Sequence, residues 1–516
     1  MYKKVNLRVI PKVAATELLL NKTVASELDV KSDRIKKIEI LRRSIDARQK
    51  RVFINLTVGV HIDEIEKCSV PDAPQYKPVD KNARSVIVVG SGPAGLFAAL
   101  GLIERGIRPV VLERGKDVDS RRKDLTSISR LGKIDPDSNY AFGEGGAGTF
   151  SDGKLYTRSK KRGNVEKILR ILHLHGASAD ILVDAHPHIG TNRLPEIIKS
   201  IRRTILECGG EIHFNTKVTG LIFNPTKDCV TGVTTSTGES FIGSVILATG
   251  HSARDVYHFL ADAGVTLEAK GLAIGVRLEH PSSLIDRLQY HSPEGRGKYL
   301  PPAEYSMLAR VDGRAVYSFC MCPGGVIVPA ASDMGQLVVN GMSDASRGGR
   351  WSNSGMVVEI LPEDVPGNDV LRMMHLQEKI ENDFFIDSKG TQNAAAQRME
   401  DFVNSRLSRE LPQTSYAPGI HSARIDQLLP HSISSRLQEG FRIFGNKKPG
   451  FLTNDAILVG AETRTSAPVR IPRLPETMNH ISIKGLYPVG EGAGYAGGIV
   501  SAAIDGDKCA ASISED

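Results

Sequence analysis

Residues 85–115 read SVIVVGSGPAGLFAALGLIERGIRPVVLERG, and this stretch decides the fold. Val86–Val89 is an unbroken apolar run, as a strand buried on both faces of a parallel sheet requires. Gly90, Ser91, Gly92, Pro93, Ala94 and Gly95 follow at once, and a helical stretch runs from about Pro93 to Arg105. A second apolar strand, Pro109–Leu112, ends at Glu113 and Arg114. The spacing gives each glycine a task. Gly90 permits the tight turn, Gly92 lets backbone approach a pyrophosphate, and Gly95 lets the helix pack on the strand. The helix N-terminus presents free N–H groups and the positive end of its dipole to phosphate. Glu113 stands where a carboxylate takes the ribose hydroxyls. With strand, helix, strand and acid in sequence, the reading is a Rossmann-like dinucleotide-binding unit.

Working outward, three further segments resemble FAD enzymes of the two-dinucleotide-binding-domain class. Residues 244–250 read SVILATG, an apolar strand ending in the Ala-Thr-Gly typical of that class, with Thr249 and Gly250 at its end. Residues 194–218 resemble the helix and strand that bring a backbone group to the adenine near Val218. Residues 485–506, GLYPVGEGAGYAGGIVSAAIDG, resemble the closing FAD motif. There Gly490 and Glu491 end a strand, and Gly497, Gly498 and Ile499 lead into a helix. The acid is usually Asp in that class; here Glu491 stands in its place for the ribityl chain. The helix beginning near Gly498 points its positive end at the flavin. The order of motifs implies one FAD-binding domain assembled from three pieces, roughly 84–160, 185–272 and 480–516. By residue, the expected division is a small domain 1–75, a linker 76–83, an FAD-binding domain 84–271 and 480–516, and an inserted α+β substrate or cap domain 272–479. The fold class is α/β.

Other segments carry chemistry-bearing residues. Tyr140–Leu155 reads YAFGEGGAGTFSDGKL. Its glycines formally fit GxGxxG, but turn-like residues rather than a strand precede them, so no second Rossmann site is expected. In the resembled class such a loop wraps pyrophosphate and flavin. That reading, set beside an ordinary surface loop, places Gly148 and Thr149 on the cofactor and Ser151 and Lys154 near the flavin ring. Ser318–Gly325 reads SFCMCPGG. Cys320 and Cys322 are either two inert thiols in a strand or a flavin-proximal pair. Strict alternation puts both on one strand face, and no second cysteine pair gives zinc spacing. Gly460–Pro472 reads GAETRTSAPVRIP. Arg464 and Arg470 are either loop salt-bridge partners or a bidentate clamp for a substrate carboxylate. His251, just after Ala-Thr-Gly, is the nearest candidate base among 14 histidines. The catalytic candidates are therefore Cys320, Cys322, Arg464 and Lys154, and no metal site is expected.

The composition narrows the setting. The chain has 516 residues, 41% hydrophobic and 24% charged, which argues against disorder. No apolar run reaches membrane-span length, and the start lacks a signal-peptide pattern. Six cysteines are no disulfide framework, so a cytoplasmic location is expected. The net charge of +7 resides in residues 1–84, which hold 18 Lys/Arg and 11 Asp/Glu. These residues read as a β-α-β-β unit: a strand at 2–10, a helix at 13–28, then two paired strands. Its densest part, Lys31–Arg51, is either a solvated face or a patch for RNA or a protein partner. The residues 70–83, VPDAPQYKPVDKNA, look like a linker.

Taken together, RRSIDARQK, GSGPAG, GEGGAGTFSDGKL, CMCPGG, ETRTSAPVRIP and GEGAGYAGGIVSAA resemble a family of bacterial FAD-dependent dehydrogenases with no assigned substrate. The resemblance spans nearly the whole chain. It implies FAD binding and redox chemistry and supplies no substrate; the expectation built on it is hydride transfer to or from flavin N5, an unknown small-molecule substrate and NAD(P)H or another acceptor as transient partner. The alternative is a flavoprotein whose basic N-terminal domain binds RNA or a protein.

Overall fold

The structure is a computed structural model and describes residues 1–65, 74–157 and 163–513. Residues 70–73 of the linker stretch, and the last three residues, lie outside the described residues. The architecture is mixed α/β.

At its centre is a five-stranded sheet in the order Leu486–Pro488, Ser244–Leu247, Ser85–Val89, Arg108–Leu112 and Glu211–His213. Every neighbouring pair in it is parallel. Strands far apart in sequence thus pair with the quoted stretch, and Val86, Val88 and Val245 are completely buried. The helix Pro93–Ile103 has proline in its first turn, where the missing N–H costs nothing. All its residues but Pro93 are buried, packed between the sheet and the last helix, Ile499–Ile513. A small antiparallel sheet, Val218–Phe223, Val230–Thr235 and Ser240–Ile242, flanks this layer.

Residues 272–462 contribute a seven-stranded sheet in the order Leu308–Val311, Arg314–Cys322, Trp351–Ile360, Leu272–Pro281, Ile457–Glu462, Ala394–Arg398 and Ile420–Ser422. Its pairs are antiparallel except Ala394–Arg398 with Ile420–Ser422. The helices Arg372–Asp387 and His431–Lys447 pack on it through Phe384, Phe441 and Phe444. Among the described residues no helix is long and apolar enough to cross a membrane.

The N-terminal segment forms an antiparallel sheet in the order Tyr2–Val9, Phe53–Ile62, Ile35–Asp46. The single helix expected at 13–28 is two, Pro11–Ala14 and Glu17–Leu28, because Thr16 is extended (φ −123°, ψ 108°). Much of the Lys31–Arg51 charge is paired within the chain. Arg34 meets Asp63, Lys37 meets Glu39 and Arg48 meets Asp46. Arg43 binds Asp184 and Asp180, tying this sheet to the 180–185 turn.

Candidate functional site

A cavity of about 380 Å³ opens at the C-terminal ends of the central strands, the crevice in which open α/β sheets bind ligands. Gly90, Gly92, Pro93 and Ala94 line it, followed by Glu113, Arg114 and Val218, then Thr249 and Gly250. The glycines of the turn have separate physical reasons. Gly90 has φ +102°, and a Cβ there would lie 2.6 Å from the Ala248 carbonyl oxygen. A Cβ on Gly95 would lie 1.9 Å from the Gly90 carbonyl oxygen, so Gly95 is required by packing and does not line the cavity. A Cβ on Gly92 would meet nothing closer than the Gly146 Cα, 3.9 Å away, which leaves the space open toward the cavity.

Glu113 lines the cavity and is also held by the chain itself. One oxygen accepts from the Ser91 N–H at 2.9 Å and the Ser91 hydroxyl at 2.7 Å. The other accepts from the Gly115 and Gly143 N–H groups at 2.9 and 3.0 Å. A carboxylate offers about four lone-pair positions, and the protein fills them. The side chain knits the phosphate turn, the second strand and the glycine-rich loop together at the cavity wall. Ser91 is thereby held in the wall's backing and does not line the cavity. Arg114 forks onto Asp255 at 3.0 and 2.7 Å and lies 4.3 Å over the Phe142 ring.

The glycine-rich loop closes one side through Gly143, Gly146 and Gly148. Thr149, expected on the cofactor, turns inward: it is buried and donates to the Glu144 carbonyl at 3.0 Å. The loop is organised by Arg121, which is fully buried. Its guanidinium donates to the carbonyls of Asn139, Tyr140, Glu144 and Gly146 at 2.8–3.0 Å. Burial pushes this guanidinium down to about 10. Sequence reasoning missed it, since nothing in DSRRKD separates Arg121 from Arg122.

Gly497, Gly498 and Ile499 form a second glycine wall at the start of the last helix. No atom lies within 4 Å of a Cβ placed on Gly250, Gly497 or Gly498. Glu491 lines the same region, and burial pushes its carboxyl up to about 7, helped by nearby Cys320. Gly490 does not line the cavity; its N–H donates to Asp505 at 2.7 Å. Bare backbone on several sides, with a helix N-terminus at 93 and another at 499, fits an elongated flat ligand carrying phosphates.

Side chains complete the lining: Asp152, Lys154, His251, Phe319, Cys320, Asn340, Arg464 and Thr465. Two sequence expectations change here. Arg464 is no free clamp, for its guanidinium binds Glu381 at 3.1 and 2.9 Å, Ser332 at 2.6 Å and Gln336 at 2.6 Å. Burial works to raise Glu381, but Arg464 and Arg254 overcome it and hold the carboxyl at about 2. Arg470 lies outside the cavity, 44% exposed, with Glu268 3.9 Å away. The second change concerns the cysteines. The strand pairs Phe319 with Gly355 and Cys322 with Asn353, so Cys320 and Met321 together oppose Ser354. This bulge, with Cys320 at φ +43°, ends the alternation. Cys320 lines the cavity, whereas Cys322 is completely buried and does not. Arg277, also missed from sequence, donates to the Cys320 carbonyl at 2.7 Å and to the Cys322 sulfur at 3.3 Å. It pairs with Glu462 at 2.9 Å. Lys154 donates to the Met321 carbonyl. His251 is pushed down to about 4 by burial, with Arg464, Lys270 and Arg254 adding repulsion.

Comparison with known proteins agrees with this geometry. Residues 271–465 match the family described as FAD-dependent protein, C-terminal domain-like. Residues 83–125 match an FAD binding domain, and residues 1–61 match a domain of unknown function. Among solved structures, tetracycline destructase Tet(51) is 13% identical, with 84% of this chain and 82% of that one covered and a TM-score of 0.34. A geranylgeranyl bacteriochlorophyll reductase-like protein from Thermoplasma acidophilum is also 13% identical, covering 84% and 79%, with a TM-score of 0.33. Likeness at that level says nothing about chemistry. An uncharacterized protein of Clostridium beijerinckii is 39% identical over 515 residues, 96% of each chain. The chain belongs to the family of that protein, a family of FAD-dependent flavoproteins.

Proposed function

We propose that this chain is an FAD-dependent oxidoreductase that moves a hydride between a small-molecule substrate and flavin N5. The observation that carries the reading is one cavity at the ends of the central strands, lined both by bare glycine backbone and by polar side chains. In this reading the N–H groups at the start of Pro93–Ile103, with Gly92 and Gly146, hold the pyrophosphate. The Val218 region takes the adenine. Glu491 and the glycines before Ile499 face the ribityl chain and flavin. Bound FAD supplies a two-electron acceptor or donor. The chain's own residues orient the substrate: Lys154 offers a positive charge, Asn340 a side-chain amide, and His251 an imidazole that stays neutral at neutral pH. Cys320 stands at the same wall. A nicotinamide serves as transient partner in the second half-reaction. The described residues of 84–271 and 480–513 form the cofactor domain, and 272–479 caps it.

The test begins with purification. The protein is expected to be yellow and to release FAD, identified by mass, on denaturation. Anaerobic addition of NADH, NADPH and a metabolite panel then shows which compound bleaches the flavin. A colourless protein whose apo form fails to quench added FAD fluorescence refutes the reading.

A further inference from the structure

We propose that Cys320 and Cys322 are a redox-active thiol pair that cycles between dithiol and internal disulfide, with the flavin as its two-electron partner. This rests on the FAD reading above. Five cysteines lie among the described residues, and these two are set apart from the rest. Cys320 reaches the cavity, while Cys322 stands behind it with no exposure. The bulge brings them together. The Cys322 sulfur lies 3.4 Å from the Cys320 carbonyl oxygen, although a regular strand separates residues two apart by nearly two full rises. The chain holds a non-glycine residue in the left-handed region to achieve this, and such strain concentrates at functional sites.

The surroundings favour a thiolate at the exposed sulfur. The Cys322 thiol at its side, then Lys154 and Arg277, hold the Cys320 thiol below its ordinary range against the effect of burial. Cys322 is pushed up by Cys320 and by burial. Cys208 and Cys509 are pushed up by burial, which at Cys509 outweighs the nearby Arg473. A reactive sulfur at the cavity and a protonated partner behind it are what thiol–disulfide chemistry needs. In the oxidising direction, from the Cys320 thiolate and the Cys322 thiol, the one S–H bond breaks and one Sγ–Sγ bond forms. The pair gives up two electrons and one proton, and oxidised flavin takes both electrons with that proton to become the anionic reduced form.

Two measurements on the flavin-loaded protein test this. The first equilibrates it with mixtures of reduced and oxidised glutathione, quenches in acid, alkylates, and weighs the peptide carrying both cysteines. The expected peptide, under oxidising mixtures, is lighter by two hydrogens and unalkylated at both positions. The second is an anaerobic dithionite titration of the oxidised protein. Wild type is expected to take twice the reducing equivalents of flavin alone, and Cys320→Ser or Cys322→Ser to take half the wild-type amount. Yellow wild-type protein that takes only the flavin's equivalents, or that keeps both thiols or carries unresolved glutathione on Cys320, overturns the pair and leaves the FAD reading standing. Colourless protein refutes the FAD reading, and with it the flavin as partner. The wild-type measurements decide the matter even where a serine variant does not fold.

Discussion

Replacing Gly92 by Ala separates cofactor binding from folding. Gly92 sits at φ −72°, ψ −177°, an extended backbone that any residue adopts. A Cβ there would have its nearest neighbour at 3.9 Å, an ordinary contact. The flavin-free variant is therefore expected to be as stable as wild type, or about 0.4–1 kcal/mol more stable through the loss of unfolded-state freedom. The added methyl occupies the space through which backbone approaches the pyrophosphate. Overpacking costs about 1–3 kcal/mol, and ~1.4 kcal/mol is a tenfold change, so the FAD Kd rises roughly five- to 150-fold. Gly497→Ala meets the same conditions at the other glycine wall, with open space and no left-handed φ, and is expected to behave alike. The assay is quenching of FAD fluorescence by apoprotein, run beside urea unfolding of the same samples. FAD binding within twofold of wild type in Gly92→Ala would show that the pyrophosphate does not pass there.

Gly95→Ala puts a methyl 1.9 Å from the Gly90 carbonyl oxygen; a loss of about 3 kcal/mol in urea unfolding is expected, and an unchanged midpoint would remove Gly95's packing role. Arg464→Met strips one of two arginines from the completely buried Glu381, and the same experiment is expected to lose about 3 kcal/mol; a loss below about 1 kcal/mol would mean Arg254 alone suffices. Burial raises the Glu491 carboxyl from 4.5 to about 7, so the folded state holds more protons than the unfolded between these values and wild-type stability falls as pH rises through them. Flavin-free Glu491→Gln is expected to lack that decline, gaining about 1–3 kcal/mol on wild type between acid and mildly alkaline pH; a pH-independent difference would count against a buried, proton-holding Glu491.

The central sheet was legible because its signals are local. The apolar run at 86–89, the glycine spacing and the helix-starting Pro93 all act over a few residues, and each is where the sequence placed it. The misreadings came from partners far along the chain. The structural task of Glu113 went unread because Gly143, whose N–H it accepts, lies 30 residues on. Arg464 looked free for a substrate because Glu381 lies 83 residues back. Thr149 turned away from the cavity because the loop it sits in folds on its own carbonyls around Arg121. A bulge leaves no mark on hydrophobic alternation, so the face of Cys320 was beyond sequence reading.

These distant pairings also decide the electrostatic character of the side-chain lining. Asp152 is bound to Arg347 at 2.9 and 2.5 Å, Glu381 to Arg254 and Arg464, and Glu462 to Arg277. These pairs fix the cavity wall, and their arginines still act on the groups that line it, Arg277 on Cys320 and Arg464 and Arg254 on His251. Lys154 differs, for it donates to the Met321 carbonyl, a dipole that leaves the ammonium's charge intact. The start of Ile499–Ile513 adds the positive end of a 15-residue helix. His251 stays neutral, while Lys154 and Arg277 act on Cys320 in the direction of its thiolate. Surroundings of this kind stabilise negative charge on the Cys320 sulfur, the property on which a thiol–disulfide cycle with Cys322 draws.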